Sequence, residues 1–151
     1  MKYPPLLALN EENDYREHFY KIYCKEPIVA FDNIPVRFRK SDFDHAFYES
    51  EKSKDDTFSR KRAERMEWIK VALQDSDKPV YCGWDSKAKK YINTRRVTLL
   101  MGNYVVVIGL KKDFRSAFFI TAFLADTEKD KKSRTIEKIK RSPVWKIKKN
   151  R

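Results

Sequence analysis

The sequence predicts an α+β domain in which N-terminal helices pack on one face of a four-stranded antiparallel sheet. Apolar residues recur at helical spacing in the first half of the 151-residue chain and at strand spacing in the second half. In addition, Gly102-Asn103 separates two β-rich runs, as is typical of a two-residue hairpin. The other face of the sheet is then partly free for a ligand.

Three helices are predicted in the first half of the chain. Asn10 can cap the first, over EENDYREHFYKIYC, whose apolar face comprises Tyr15, Phe19, Ile22 and Tyr23. The segment PIVAFDNIPVRFRK is extended, and Ser41 followed by Asp44 indicates a short second helix over SDFDHAFYES. A longer helix, capped by Thr57 or Ser59, covers RKRAERMEWIKVALQDS, with an apolar stripe of Ala63, Met66, Ile69 and Leu73.

Four strands are predicted from Pro79 onward, where the apolar period changes to that of strands. They are PVYCGWD, KYINTRRVTLLM, YVVVIGL and RSAFFITAFLA, joined by turns at SKAK, Gly102-Asn103 and KKDF. The continuous apolar run 104–108 is typical of a central strand that is covered on both faces. A basic helix should follow Asp126, with Trp145 docking back on the body.

The chain length favours one domain over residues 1–151. Residues 1–35 are predicted as a helical and extended extension, residues 36–125 as the core, and residues 126–151 as a basic helix and tail. No apolar run could span a bilayer, and MKYPPLLALN is too short and proline-rich for a signal peptide, so we expect a cytoplasmic protein. Cys24 and Cys82 lack the spacing of a zinc site and are expected to be buried thiols.

The net charge of +12 is concentrated in the later part of the chain. Residues 1–56 carry 9 Lys and Arg against 12 Asp and Glu, whereas residues 57–151 carry 25 against 10. Such a field attracts polyanions, and nucleic acid is the commonest partner of that kind. A soluble surface with excess lysine is the plainer interpretation. A membrane surface is disfavoured, because the basic segment DTEKDKKSRTIEKIKRS offers only Ile136 and Ile139 as apolar contacts.

The common catalytic motifs are missing from the sequence. It has no Gly-rich phosphate loop, no HExxH, no GxSxG and no acidic cluster that would hold two metal ions, so we expect neither metal nor cofactor. Histidine, cations and hydroxyls remain, and they suit RNA cleavage without metal. A base takes the proton of the 2′-hydroxyl, cations stabilise the charged phosphorane, and an acid protonates the leaving oxygen.

Four segments in order resemble phage-associated members of the barnase, EndoU, colicin and RelE-like nuclease superfamily. They are SDFDHAFYE, SRKRAERMEWIKVALQD with the following KPVY, KKYINTRR, and GNYVVVIGLKKDFRSAFFITAF, which together span roughly residues 36–125. The resemblance implies helices on a four-stranded sheet and a small toxin or phage effector that cuts RNA without metal. The chain departs from barnase, because no histidine follows the final strands, and from EndoU, which uses two histidines.

The same resemblance implies that His45 is the general acid or base, although a histidine in FDHAFYE can also be a structural helix residue. Asp44 points to a different helix face and is not an obvious partner for it. His18 lies outside the matched region. Arg62 and Arg65, one helical turn apart, are candidates for binding a phosphate, and Lys61 and Arg60 could serve equally. The alternative is a solvated helix face with local ion pairs.

The strands supply the remaining candidate residues. Alternation places Arg96 rather than Arg95 on the polar side of its strand. Along the last strand, alternation puts Thr121 on the open face, where it could bind a phosphate oxygen, together with two rings that could stack bases, Phe119 and Phe123. Tyr91 is a candidate for proton transfer or stacking. Further contacts to nucleic acid are expected from the lysines Lys111, Lys112, Lys131 and Lys132.

Three functional classes follow from these observations. An endoribonuclease would lose activity on His45→Ala and keep it in EDTA, and an acidic antitoxin or immunity protein is its expected partner besides RNA. A non-catalytic RNA- or DNA-binding module of a mobile element would bind in a salt-dependent way without cleavage. A protein-interaction component would instead bind one acidic protein and no nucleic acid.

Overall fold

The computed structural model describes residues 3–100 and 103–146, so the predicted hairpin residue Gly102 lies outside the described residues. It contains five α-helices: α1 (Glu12–Tyr23), α2 (Asp42–Phe47), α3 (Arg60–Ala63), α4 (Trp68–Gln74) and α5 (Thr135–Arg141). It also contains eight strands: β1 (Ile28–Val29), β2 (Pro35–Arg37), β3 (Tyr48–Glu49), β4 (Thr57–Phe58), β5 (Val80–Asp85), β6 (Lys90–Leu99), β7 (Tyr104–Leu110) and β8 (Ala117–Leu124). These counts apply to the described ranges.

The α+β class is confirmed, but the expectation of a four-stranded antiparallel sheet is wrong. The main sheet has six strands in the order β1-β2-β8-β7-β6-β5, and β2 runs parallel to β8 while the other pairs are antiparallel. The additional strands β1 and β2 come from the segment that was predicted as extended. They are two and three residues long, which is too short for an alternating pattern to show.

The helices of the first half pack on one face of this sheet and form the main core. In α1 the buried residues are Tyr15, Phe19 and Tyr23, whereas Ile22 is exposed. Glu11 rather than Asn10 caps this helix, because it forms a capping box with Asp14. In this core Phe19 of α1 packs edge-to-face on Phe43 of α2 and on Phe38, which follows β2, with centroids 5.9 Å and 6.0 Å away. Phe38 in turn stacks on Phe119 of β8, with centroids 4.8 Å apart.

The predicted long helix from Arg60 is divided into α3 and α4. Between them the backbone N–H of Met66 donates to Ala63 and that of Ile69 to Met66, which is the i to i−3 spacing of a tighter turn. Ala63, Met66 and Ile69 remain buried on one side.

The opposite face of the sheet is partly covered by α5. Ile136 and Ile139 pack against a second apolar cluster that includes Val97, Val105 and Val107. Asp126 caps the first turn of this helix, because its carboxylate accepts hydrogen bonds from the backbone N–H groups of residues 135 and 136. These hydrogen bonds lower the pKa of the Asp126 carboxyl. The basic segment is therefore a cover for part of this face, and the rest stays open.

The prediction that Trp145 docks on the body is confirmed. Its backbone N–H donates to Val80 at 2.9 Å and its indole N–H donates to the carbonyl of Asn93 at 2.7 Å. Cys24 and Cys82 are free thiols that are half-buried rather than buried. Burial raises the pKa of Cys24 to about 11. None of the helices within residues 3–100 and 103–146 combines the length and apolar character that a membrane span requires.

Candidate functional site

The last strand carries a bulge that decides which residues reach the open face. Val107 pairs with Thr121 and the next residue, Ile108, pairs with Phe119, so Ile120 is an extra residue in β8. Alternation reverses at that point. Phe119 lies in the main core at 1% exposure, whereas Thr121 is on the opposite face. The expectation that Phe119 shares the open face is therefore wrong, and its ring cannot stack a base.

A groove of about 630 Å³ lies on the open face beyond α5. His45 and Asp55 line it on one side, and Thr121 and Phe118 line it from β8. Its remaining charged lining residues are cations, Arg39, Lys54 and Arg95. A groove with three cations and one carboxylate is a favourable environment for a phosphodiester.

His45 and Asp55 face each other at the rim of this groove. Nδ1 of His45 lies 3.5 Å from Oδ2 of Asp55, and the two side chains are 45% and 25% exposed. With Nδ1 directed at a carboxylate, Nε2 is the nitrogen that can accept a proton from a ligand. This pair is an imidazole beside a carboxylate, an arrangement that is compatible with general base catalysis.

The loop between β3 and β4 holds Asp55 in place. Asp55 adopts a left-handed backbone conformation with φ of 51°, and its N–H donates to Oγ of Ser50 at 2.8 Å. The neighbouring Asp56 carboxylate accepts hydrogen bonds from three backbone N–H groups, those of Glu51, Lys52 and Ser53. These bonds hold the pKa of Asp56 well below its usual range. Asp56 thus organises the loop, and Asp55 is left to face His45.

Thr121 positions the histidine instead of presenting a free hydroxyl. Its Oγ1 donates a hydrogen bond of 2.9 Å to the backbone carbonyl of His45. This bond joins the C-terminal end of α2 to β8, beyond the two β8 residues that pair with β2. The residue lies on the open face, as alternation suggested, but its hydroxyl proton is already used.

Arg62 lines a second depression of about 370 Å³ on the other side of His45, Asp55 and Thr121. Its Nη1 donates to the carbonyl of Tyr48 at 2.9 Å, and its buried Nε has no partner within the described residues. Burial lowers the pKa of Arg62. Phe123 lines the same depression. Arg62 and Phe123 are therefore the sequence-predicted residues that lie next to His45, together with Thr121.

Arg65 and Lys61 line neither depression beside His45. Arg65 donates to the carbonyl of Lys61 and to Glu64, and its guanidinium lies 5.4 Å from the Trp68 ring centroid. Both arginines act electrostatically on the buried Tyr104 phenol, but only Arg62 lines a depression beside His45. Arg62 therefore stays a candidate for binding a phosphate beside His45, whereas Arg65 does not line that site.

Arg96 is buried on the core face, and Arg95 faces the groove, so the expectation for this pair is wrong. Arg96 is 1% exposed and pairs with Asp32 at 2.6 Å. Opposite β7, residues 95–99 alternate regularly, so Arg96 and Thr98 share the core face and Arg95 shares the open face with Val97. Opposite β5, residues 93–95 are inserted between Ile92 and Arg96, so Ile92 lines the groove on the same side as Arg95. A pattern of alternating residues could not show this insertion.

The remaining candidates lie away from His45. Tyr91 is 41% exposed and packs edge-to-face on Trp84 at 5.1 Å, in a depression beside α5. Lys111 lies over Phe118 at 5.2 Å from the ring centroid, and Lys112 is exposed in the adjacent turn. A 3₁₀ turn exposes two further lysines, Lys131 and Lys132.

Sequence reasoning missed the groove residues Arg39, Lys54, Asp55, Arg95 and Phe118. Within residues 3–100 and 103–146, no three His, Cys, Asp or Glu side chains come together as metal ligands. Comparison of the chain with protein-family models, curated proteins and solved structures gives no match.

Proposed function

We propose that the protein is an endoribonuclease that cleaves RNA without metal, by attack of the 2′-hydroxyl on the adjacent phosphate. The observation that supports this most directly is the position of His45. It faces Asp55 at the rim of a groove whose other charged residues are Arg39, Lys54 and Arg95. An oriented imidazole beside cations is what this reaction needs, because the substrate brings its own nucleophile.

In the proposed reaction, Nε2 of His45 accepts the 2′-hydroxyl proton while Asp55 orients the ring. The 2′ oxygen attacks phosphorus, and the groove cations stabilise the negative charge of the phosphorane. The bond from phosphorus to the 5′ oxygen then breaks, and that oxygen takes a proton from the Lys54 ammonium or from water. The products are a 2′,3′-cyclic phosphate and a 5′-hydroxyl.

Two further observations agree with this proposal. Residues 36–125 resemble the barnase, EndoU, colicin and RelE-like superfamily in the order of their segments, and the chain carries a net charge of +12. A toxin or phage effector of this kind would have an acidic neutralising partner. Such a partner would be complementary to the groove cations, which are Arg39, Lys54 and Arg95.

A non-catalytic RNA- or DNA-binding module is the second candidate. It is favoured because the second histidine does not reach the groove. His18 lines a different depression, on α1, and its Nε2 lies 3.8 Å from a carboxylate oxygen of Glu67. His45 is therefore the only imidazole that lines the groove among the described residues. The cations and Phe118 would be sufficient for binding alone.

The test compares an RNA oligonucleotide with DNA of the same sequence, in the presence of EDTA. Wild type and His18→Ala should cut the RNA and leave the DNA intact, whereas His45→Ala should leave both intact. Cleavage of both polymers, or cleavage that EDTA abolishes, would contradict the proposed reaction. Equal salt-dependent binding of both polymers without cleavage would establish the binding module instead.

A further inference from the structure

Four residues form a row across the open face of the sheet. Arg37 pairs with Phe118 in the parallel pair of β2 and β8, Phe118 pairs with Gly109 of β7, and Gly109 pairs with Arg95 of β6. Paired residues of neighbouring strands point to the same face. The row therefore places Phe118 between two arginines, beside the groove that contains His45. The Arg95 side chain extends over β5, where its Nη1 donates to the carbonyl of Trp84 at 3.0 Å.

The ring of Phe118 lies across Gly109. A Cβ atom built on Gly109 would be 2.4 Å from Cζ of Phe118 and 2.7 Å from a second ring atom. Any side chain at this position would push the ring away, so the absence of one lets the ring lie close to the sheet. Gly83 has the same relation to Arg95, whose Cγ would be 2.2 Å from an added Cβ. The two glycines leave room for the ring and for Arg95.

Phe118 is 38% exposed and separates two depressions. One is the groove with His45, and the other, of about 480 Å³, lies toward β2 and is lined by Arg37 and Lys111. Arg39 and Phe118 line both. No carboxylate lines the depression toward β2. Within the described residues, neither Arg37 nor Lys111 forms a salt bridge.

We propose that Phe118 is the stacking platform of a nucleotide subsite for single-stranded nucleic acid. A base stacks on the Phe118 ring, and the phosphates on its two sides contact Arg37 and Arg95. The Lys111 ammonium, which now lies over the ring, moves to a phosphate when the base enters. The subsite rests on the proposed function only in naming RNA as the strand, since stacking and phosphate contacts do not need cleavage.

The chemistry of the platform selects a single strand. A base inside a duplex has both faces stacked on its neighbours, so it has no free face for Phe118. A strand that follows the row passes from the His45 groove over Phe118 to Arg37. The ligand is therefore longer than the two nucleotides that flank a cleaved bond.

Binding of a labelled DNA decamer tests the subsite independently of cleavage, because DNA has no 2′-hydroxyl. Phe118→Leu and Gly109→Ala should each weaken binding, the first on the order of 10-fold, and Phe118→Tyr should restore it. The double variant Arg37→Gln and Lys111→Gln should reduce the salt slope of log K by roughly 0.7 for each phosphate contact that is lost. Lys21→Gln on α1, away from the row, is the charge control, and thermal melts confirm that each variant is folded.

Three outcomes overturn this inference. One is equal affinity of wild type and Phe118→Leu for the decamer, even if RNA is cut in a His45-dependent way, since the proposed function would then stand without the subsite. Another is tighter binding of duplex than of single strand. The third is binding of an acidic protein and of no oligonucleotide. Conversely, weaker binding by Phe118→Leu with uncut RNA would support the subsite and remove the nuclease proposal.

Discussion

Nδ1 of His45 lies 3.5 Å from Oδ2 of Asp55, although one residue is on a helix and the other is in a loop. The hairpin of β3 and β4 folds back beside α2 and brings the carboxylate to the ring. Asp55 reaches it from a left-handed backbone conformation. Because this conformation is unfavourable for most residues, the loop must hold it in place.

Asp55→Asn should lower the rate of RNA cleavage by about 10-fold, less than the 10²- to 10⁴-fold loss expected for His45→Ala. Asparagine tolerates the left-handed conformation of Asp55, so the loop should stay folded. Single-turnover kinetics measure the rate, and Asp77→Asn is a matched control away from the groove. An unchanged rate in Asp55→Asn would show that the carboxylate does not orient His45.

Acid should loosen the loop that contains Asp56. Its three backbone hydrogen bonds lower the pKa of Asp56 from 3.8, so their contribution to stability is present above that value and is lost as the pH falls through the lower folded value. Thermal melts of wild type and Asp56→Asn should therefore differ at neutral pH, and the difference should shrink progressively as the pH falls below 3.8. A constant difference in Tm across this range would contradict the assigned role of the carboxylate.

Thr121→Val should reduce cleavage without weakening the binding of RNA. The substitution keeps the shape of the side chain and removes its hydrogen bond to the His45 carbonyl, which costs about 1 kcal/mol of stability and loosens α2. Cleavage rates and affinity for a 2′-deoxy oligonucleotide separate the two effects. Loss of affinity in Thr121→Val would instead indicate that the hydroxyl contacts a phosphate.

Asp32→Ala should lower the free energy of unfolding by about 3 kcal/mol, because it leaves the buried Arg96 guanidinium without its carboxylate. The double variant Asp32→Ala with Arg96→Met should recover most of that loss, since an apolar side chain needs no partner. Urea unfolding measures both. A loss of activity at full stability would mean instead that Arg96 acts in the site.

The fold class could be predicted because its signal is periodic. Helical spacing in α1 and the continuous apolar run of β7 are long enough to be recognised from residue types alone. The strands β1 and β2 contain two and three residues, so no period shows in them. The division of the long helix left its apolar residues in place, and for that reason the apolar pattern did not reveal it.

The site could be predicted only in part, for three physical reasons. Residue type and the resemblance pointed to His45, but its partner Asp55 comes from a polar loop without periodicity. The bulge in β8 reversed the faces of Phe118 and Phe119 relative to Thr121, so Phe118 reaches the open face. In β6 the polar side of the strand, with Arg96 and Thr98, faces the core, so Arg95 reaches the open face instead. Side chains that meet only through tertiary folding, such as Arg96 and Asp32, leave no local signal.

Analysis of the ends of RNA fragments tests the central claim most directly. Wild type should produce fragments with 2′,3′-cyclic phosphate and 5′-hydroxyl ends, and His45→Ala of unchanged Tm should produce none. Mass spectrometry distinguishes these ends from the alternatives. Fragments with 5′-phosphate ends, or equal cleavage by wild type and His45→Ala, would contradict attack by the 2′-hydroxyl with His45 as its base.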